Sequence, residues 1–149
     1  MKKTLLAISA AAILIPSAYA NNFEDANDAI KYRKAAFGLI AYNFGDMAAM
    51  IKGKKDFNAD VFAQRASNVA ALSQIPHEGF IAGSDKGNTD ALAKIWSDKA
   101  DFDAKMTAFQ ENAAKLAVAA KGTDQNQIKQ AFGNTGQSCK GCHDVYKKD

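Results

Sequence analysis

The segment ANDAIKYRKAAFGLIAYNFGDMAAMI, residues 26–51, repeats its mainly apolar side chains at alternating steps of four and three residues. This spacing places the repeated side chains on one stripe of an α-helix. The polar run KGKKD at 52–56 ends the pattern. The stripe consists of Ala26, Ile30, Arg33, Phe37, Ile40, Phe44, Met47 and Ile51.

Three further segments show helical periodicity. A second helix is predicted from Asn58 and stops before Pro76, since proline breaks a helix interior. Ser97 or Asp98 caps the third, and Thr123 or Asp124 opens the fourth. The third stripe contains Phe102, Met106, Phe109, Ala113, Leu116 and Ala120; the fourth contains Ile128, Phe132, Thr135, Cys139, Cys142 and Tyr146.

The stretch between the second and third helices, residues 76–97, contains three glycines and has no sustained period. It predicts a long crossover with one short helical turn near Leu92. Four amphipathic segments with two short connections and one long connection indicate an all-α fold, an antiparallel four-helix bundle whose long crossover joins helices 2 and 3.

Residues 1–20 have the features of a cleaved signal peptide: two lysines, an apolar stretch from Leu5 to Ile15, and a final Ala18-Tyr19-Ala20. Residues 21–149 then form one exported domain, expected in the periplasm, with 17 Lys+Arg against 16 Asp+Glu. This domain has no basic run and no apolar stretch long enough to span a bilayer. Nucleic acid and membrane are therefore not expected partners.

The motif SCKGCHDVY at 138–146 holds the two cysteines of the chain, Cys139 and Cys142, followed directly by His143. Cysteines three apart lie on one face of a helix, and C-x-x-C-H is typical of covalent heme c attachment with the histidine on iron. Three alternatives stay open at this point: a zinc site completed by His77, a redox dithiol, and a simple disulfide.

Four stretches together carry a resemblance to a known family: SCKGCHDVYKKD, AIKYRKAAF, IWSD and AFQEN. With the heme motif near the C-terminus of a four-helix bundle, the sequence resembles the cytochromes c′. The resemblance implies a homodimer with one covalent heme c per chain and a pentacoordinate, high-spin iron. Such an iron binds nitric oxide and carbon monoxide but hardly dioxygen.

The resemblance also implies roles for residues outside the motif. Arg33, at the matching KYR position, is expected on a heme propionate with Lys34 assisting, although a snorkelling arginine is the alternative. Phe37, one turn later, is expected against the distal face of the heme, or else is ordinary core. Lys147 is expected on the proximal face or in solvent. Further candidates for the heme pocket are Phe80, Thr89 and Asp90.

A different reading makes the protein a six-coordinate, low-spin electron carrier with methionine as second axial ligand and a periplasmic redox partner. The candidate sixth ligands are Met47, Met50, Met106 and His77. The three methionines lie on or beside core stripes, where packing explains them, and His77 lies in the crossover. Met47 is also about 15 Å along the helix from Phe37. No catalytic residue is predicted, because no second titratable side chain is clearly placed near the iron.

Overall fold

Four long helices make up most of residues 23–148, the part of the chain that the computed structural model describes. The predicted signal peptide, residues 1–20, lies outside this part. No helix within 23–148 is long and apolar enough to cross a membrane. The long helices are α1 (Ala26–Ile51), α2 (Ala59–Leu72), α4 (Lys99–Ala119) and α5 (Gln125–Tyr146), and one helical turn, α3 (Lys94–Ser97), precedes α4.

Side-chain caps explain where three of these helices begin. The Asp25 side chain accepts a hydrogen bond from the backbone N–H of Asp28 at the start of α1. The Asn58 side chain accepts a hydrogen bond from the backbone N–H of Val61, and the Asp124 side chain accepts from two backbone N–H groups of α5. Such caps satisfy donors that have no partner within the helix. Asp98 precedes α4 without a side-chain cap. The helix starts predicted at Asn58, Asp98 and Asp124 are confirmed, but the capping hydrogen bond predicted for Ser97 or Asp98 is not formed.

The long helices bury the predicted stripes against one another. Contacts join α1 to α2, α2 to α4, and α4 to α5, as expected for a bundle. One core cluster surrounds Met47, and a second contains Ile95, Met106 and Tyr146. Phe37 packs against both clusters. The all-α four-helix bundle is thus confirmed. The buried stripe of α4 consists of Phe102, Met106, Phe109, Ala113 and Leu116.

The crossover between α2 and α4 contains two short helical pieces. A 3-10 turn spans Pro76–Gly79, and α3 begins at Lys94, close to the turn predicted near Leu92. Between them, Gly83 and Gly87 have φ angles of 81° and 95°, which side-chain-bearing residues rarely adopt. The crossover passes along α1 and ends beside α5, so it lies at one end of the site described next.

Candidate heme-binding site

A cavity of about 560 Å3 lies between α1, α4, α5 and the crossover. Its volume is within the range of small-molecule and cofactor sites. Aromatic side chains dominate its interior, and charged side chains lie mainly where the crossover meets α1 and α5. The six rings that line it belong to Phe37, Phe44, Phe80, Phe102, Phe109 and Tyr146.

The C-x-x-C-H motif lies on the wall formed by α5. Cys139, Cys142 and His143 all line the cavity, and both thiols are half-buried and free. Burial raises the pKa of each thiol. Desolvation, with the nearby Lys147 charge, lowers the pKa of His143. A lowered pKa favours the neutral imidazole, which is the form that ligates iron.

The alternatives for the cysteine motif find little support in this geometry. His77, the fourth ligand of the hypothetical zinc site, binds Asp103 through Nε2 at 2.7 Å and does not line the cavity. Within residues 23–148, no three His, Cys, Asp or Glu side chains come together as a metal-ion cluster. Cys139 and Cys142 lie inside a long helix rather than after a strand, unlike a thioredoxin-type dithiol.

Arg33 is a buried cation at the crossover end of the cavity, with only 2% of its surface exposed. One terminal nitrogen donates to Gly79 O at 2.7 Å and Ser84 Oγ at 2.6 Å; the other donates to Ser84 O at 2.6 Å and Thr89 Oγ1 at 2.8 Å. The guanidinium carbon also lies 4.6 Å from the centre of the Phe80 ring. These bonds use four of its five N–H donors.

The charge of Arg33 has no carboxylate partner among the ion pairs of residues 23–148. Burial lowers its pKa, but a guanidinium stays protonated in proteins. Lys34, which donates to Asn88 O at 3.2 Å, and Lys147 line the same cavity, with Asp90 as the carboxylate of the lining. An anionic group at this end would offset the cost of the buried cation.

The donor set therefore fits heme on three counts. Two thiols and an imidazole lie on one wall, aromatic rings line the interior, and an uncompensated cation lies at one end. A heme has vinyl groups for the thiols, an apolar macrocycle for the rings and two propionates for the cation. The predicted residues Phe80, Thr89 and Asp90 line the cavity as well.

The wall of the cavity that α1 forms is apolar after Lys34. Phe37 is half-buried there, and its ring meets the Phe80 ring edge-on at 6.3 Å between centres. After Lys34, the α1 residues that line the cavity have no side-chain hydrogen-bond donor. They are Phe37, Gly38, Ile40, Ala41, Phe44 and Gly45.

The candidate sixth ligands differ in whether they line the cavity. Met47 and Met50 are buried in the core cluster and do not line the cavity, whereas Met106 does. His77 stacks against Phe102, a lining residue, from outside the cavity. Met106 is thus the one methionine of the described chain that lies at the site.

Sequence reasoning did not single out every lining residue. Tyr146, assigned only to a helical stripe, is buried at the cavity wall, and its hydroxyl donates to Asp101 Oδ2 at 2.6 Å. Its position three residues after His143, on the same helix face, was a usable signal. Lys105 and Ile95 also line the cavity, and no local pattern marks them.

Comparisons with known proteins agree with this geometry. A family model described as Cytochrome C' matches residues 28–147. The cytochrome c' of Rubrivivax gelatinosus is 46% identical over 127 residues, which cover 85% of this chain and 98% of that protein. A solved cytochrome c prime from Shewanella frigidimarina is 80% identical with a TM-score of 0.85, covering 86% of this chain and 100% of that one.

Relatives solved with gases are also similar to this chain. A nitric oxide complex of a cytochrome c prime variant from Alcaligenes xylosoxidans is 40% identical with a TM-score of 0.79. It covers 85% of this chain and 98% of that one. Another variant of that protein was solved with carbon monoxide bound.

Proposed function

The chain belongs to the cytochrome c′ family, whose cofactor is covalently attached heme c, and from this premise we propose that it is a periplasmic gas-binding cytochrome. Its ligands are nitric oxide and carbon monoxide, bound at a pentacoordinate, high-spin heme iron. The observation that carries the proposal is the apolar α1 wall with Phe37, in the same cavity as the α5 wall with His143.

The positions of the cavity residues support an assignment of those that would hold the heme. Cys139 and Cys142 would hold the heme through thioether bonds, and His143 would ligate its iron. Arg33 contributes its unpaired charge to a propionate, with Lys34 at the same end. When bound, the heme supplies an iron with one open coordination position.

Two crossover residues and one terminal lysine complete this assignment. Thr89 and Asp90 lie beside Arg33, at the end of the cavity assigned to the propionates. The Phe80 ring lies against the Arg33 guanidinium. Lys147 lies one turn after His143, and this spacing supports its assignment to the proximal side. Its charge favours the neutral imidazole, since it lowers the pKa of His143.

Selectivity among diatomic gases follows from the polarity of the wall. Dioxygen binding by heme depends on hydrogen-bond donors in the distal pocket, whereas nitric oxide and carbon monoxide bind without them. The α1 residues between Phe37 and Gly45 that line the cavity have no side-chain donor. The Phe37 ring also fills space on this wall, so a ligand must displace it or approach elsewhere.

Export and self-association belong to the same proposal. The predicted signal peptide supports export to the periplasm, the compartment in which c-type heme is attached. Leu39 and Tyr42 on α1 are 55% and 67% exposed, and exposed apolar side chains on one helix support a homodimer. A periplasmic redox partner remains part of this role, because heme iron also transfers electrons.

The visible spectrum of the purified, exported protein tests the proposal. It is recorded oxidised and reduced, before and after nitric oxide is added. A high-spin spectrum that shifts with the gas supports an open iron, whereas a low-spin spectrum unmoved by the gas contradicts it. A mass increase of one heme that disappears in a Cys139→Ala, Cys142→Ala double variant checks the attachment.

Met106→Leu separates this proposal from the six-coordinate electron carrier. Leucine keeps the volume of the side chain and removes the sulfur ligand. We expect an unchanged resting spectrum. A change to high-spin in Met106→Leu, from a low-spin wild type, would establish methionine ligation. Met47→Leu is the matched control, since Met47 is buried away from the cavity.

A further inference from the structure

The end of α5 is joined to the crossover by backbone hydrogen bonds. The N–H of Leu92 donates to Tyr146 O at 2.9 Å, and the N–H of Lys148 donates to Asp90 O at 2.8 Å. These bonds flank an isolated antiparallel bridge between Ala91 and Lys147. We call this pair of hydrogen bonds the terminal staple. The bridge between Ala91 and Lys147 is the one isolated β-bridge within residues 23–148.

The same crossover segment is anchored on α1. Thr89 Oγ1 accepts from Arg33 at 2.8 Å and from the N–H of Ala91 at 3.1 Å. Lys34 donates to the backbone and side-chain oxygens of Asn88 at 3.2 and 3.3 Å. Residues 88–92 therefore connect the turn of α1 that carries Arg33 and Lys34 to the last turn of α5.

The staple acts where a helix is intrinsically weak. The carbonyls of the last helical turn have no partner within the helix, and helix ends fray. His143 lies in this last turn, and its carbonyl accepts the N–H of Lys147, where the chain turns extended. The staple gives the unpaired Tyr146 carbonyl a partner and fixes the residue that follows the helix. Without it, the turn that carries His143 would move more freely.

We propose that residues 88–92, through the terminal staple, are a positioning element for the His143 imidazole. Because Thr89 of this element is hydrogen-bonded to Arg33 on α1, the element also fixes the position of His143 relative to the α1 wall that carries Phe37. This proposal depends on the proposed ligation of iron by His143. It assigns the crossover a role on the proximal side of the site, in addition to its place at the propionate end.

Lys148→Pro in the heme-bound protein removes one bond of the staple. Proline lacks the N–H, and the extended backbone of Lys147, with φ −119° and ψ 142°, suits a residue before proline. Lys148→Ala is the matched control: it keeps the N–H and removes only the side-chain bond to Thr89 O at 3.3 Å. Lys148 is exposed, so both variants are expected to fold.

Two readouts report on the turn itself. Amide hydrogen exchange over residues 144–147 should be roughly fivefold faster in Lys148→Pro than in Lys148→Ala, as expected for loss of one net hydrogen bond. Resonance Raman spectra of the reduced, gas-free protein should show a lower or broader iron–histidine stretch in Lys148→Pro only. Thr89→Val, which removes the acceptor for Arg33, should shift both readouts in the same direction.

Equal exchange rates and equal Raman spectra in Lys148→Pro and Lys148→Ala would overturn the proposal. Faster exchange with an unchanged iron–histidine stretch would also overturn it, because the staple would then hold the backbone without positioning the ligand. Neither measurement uses nitric oxide. If a five-coordinate wild type failed to bind the gas, the proposed function would fail while the role of the staple would still be decided.

Discussion

Replacing the buried Arg33 by methionine should weaken the fold more than the same change at the partly exposed Arg65. Methionine keeps most of the apolar stem but donates no hydrogen bond. Two of the acceptors keep other bonds, since Ser84 Oγ donates to Ile81 O and Thr89 Oγ1 still accepts from a backbone N–H. The carbonyl of Ser84 loses its donor, and the carbonyl of Gly79 keeps only a 3.5 Å contact with Ser84 Oγ.

The magnitude follows from these losses. Each buried acceptor left without a donor costs about 1–3 kcal/mol, and the lost contact with the Phe80 ring adds about 1 kcal/mol. Removing a buried charge offsets part of this, because its desolvation no longer opposes folding. We therefore expect the free energy of unfolding to fall by about 2–4 kcal/mol, a large share of the usual 5–15 kcal/mol.

Urea denaturation of the heme-bound protein, followed by far-ultraviolet circular dichroism, measures this loss. Arg65→Met is the control, because Arg65 is partly exposed and pairs with Asp46 at 2.9 Å, an interaction expected to contribute less than about 1 kcal/mol. Arg33→Lys should fall between the two, since one ammonium cannot replace a four-bond guanidinium fork. The reasoning is refuted if Arg33→Met loses no more stability than Arg65→Met.

Three further outcomes are expected. Gly79→Ala should lose about 1–3 kcal/mol in the same denaturation assay, because its Cβ would lie 2.9 Å from a side-chain carbon and 3.0 Å from a backbone oxygen of α1. Gly136→Ala, whose Cβ meets a ring carbon at an ordinary 3.4 Å, should lose nothing. Phe37→Ala should bind carbon monoxide roughly tenfold faster in flash photolysis, about 1.4 kcal/mol off the barrier, and an unchanged rate would show that Phe37 does not obstruct the ligand. The hydrogen bond from the Tyr146 hydroxyl lowers the pKa of Asp101 in the folded protein. The pair therefore stabilises the fold at pH values above the pKa of an unfolded aspartate, about 4. This stabilisation is lost as the pH falls through the lower pKa of Asp101 in the folded protein. Tyr146→Phe should therefore be less stable than wild type at pH 7, with the difference shrinking at pH 3; a constant difference would contradict the linkage.

The fold was predictable because its signals are local. Helix starts at Asn58 and Asp124 depend on a side chain reaching a backbone N–H two or three residues away. The buried stripe of α4, from Phe102 to Leu116, depends only on the 3.6-residue period. The C-x-x-C-H spacing likewise places its side chains on one helix without any knowledge of the rest of the chain.

The partners of individual side chains were decided by contacts far apart in sequence. Nothing local to Arg33 indicates that Gly79, Ser84 and Thr89 converge on it from the crossover. The period of the helices predicts the same buried position for Met47 and Met106. Of the two, Met106 lines the cavity, whereas Met47 packs in the other core cluster.

The sequence by itself determined the helices, their buried faces and the placement of the cysteine motif on one helix, since each depends on residues within a few positions of one another. Only the tertiary structure decided which side chains share the cavity, and that the crossover joins α1 to the end of α5. Those contacts depend on the path of the crossover, residues 73 to 98. Its path is set by buried hydrogen bonds to Arg33 and to the α5 terminus rather than by a repeating pattern.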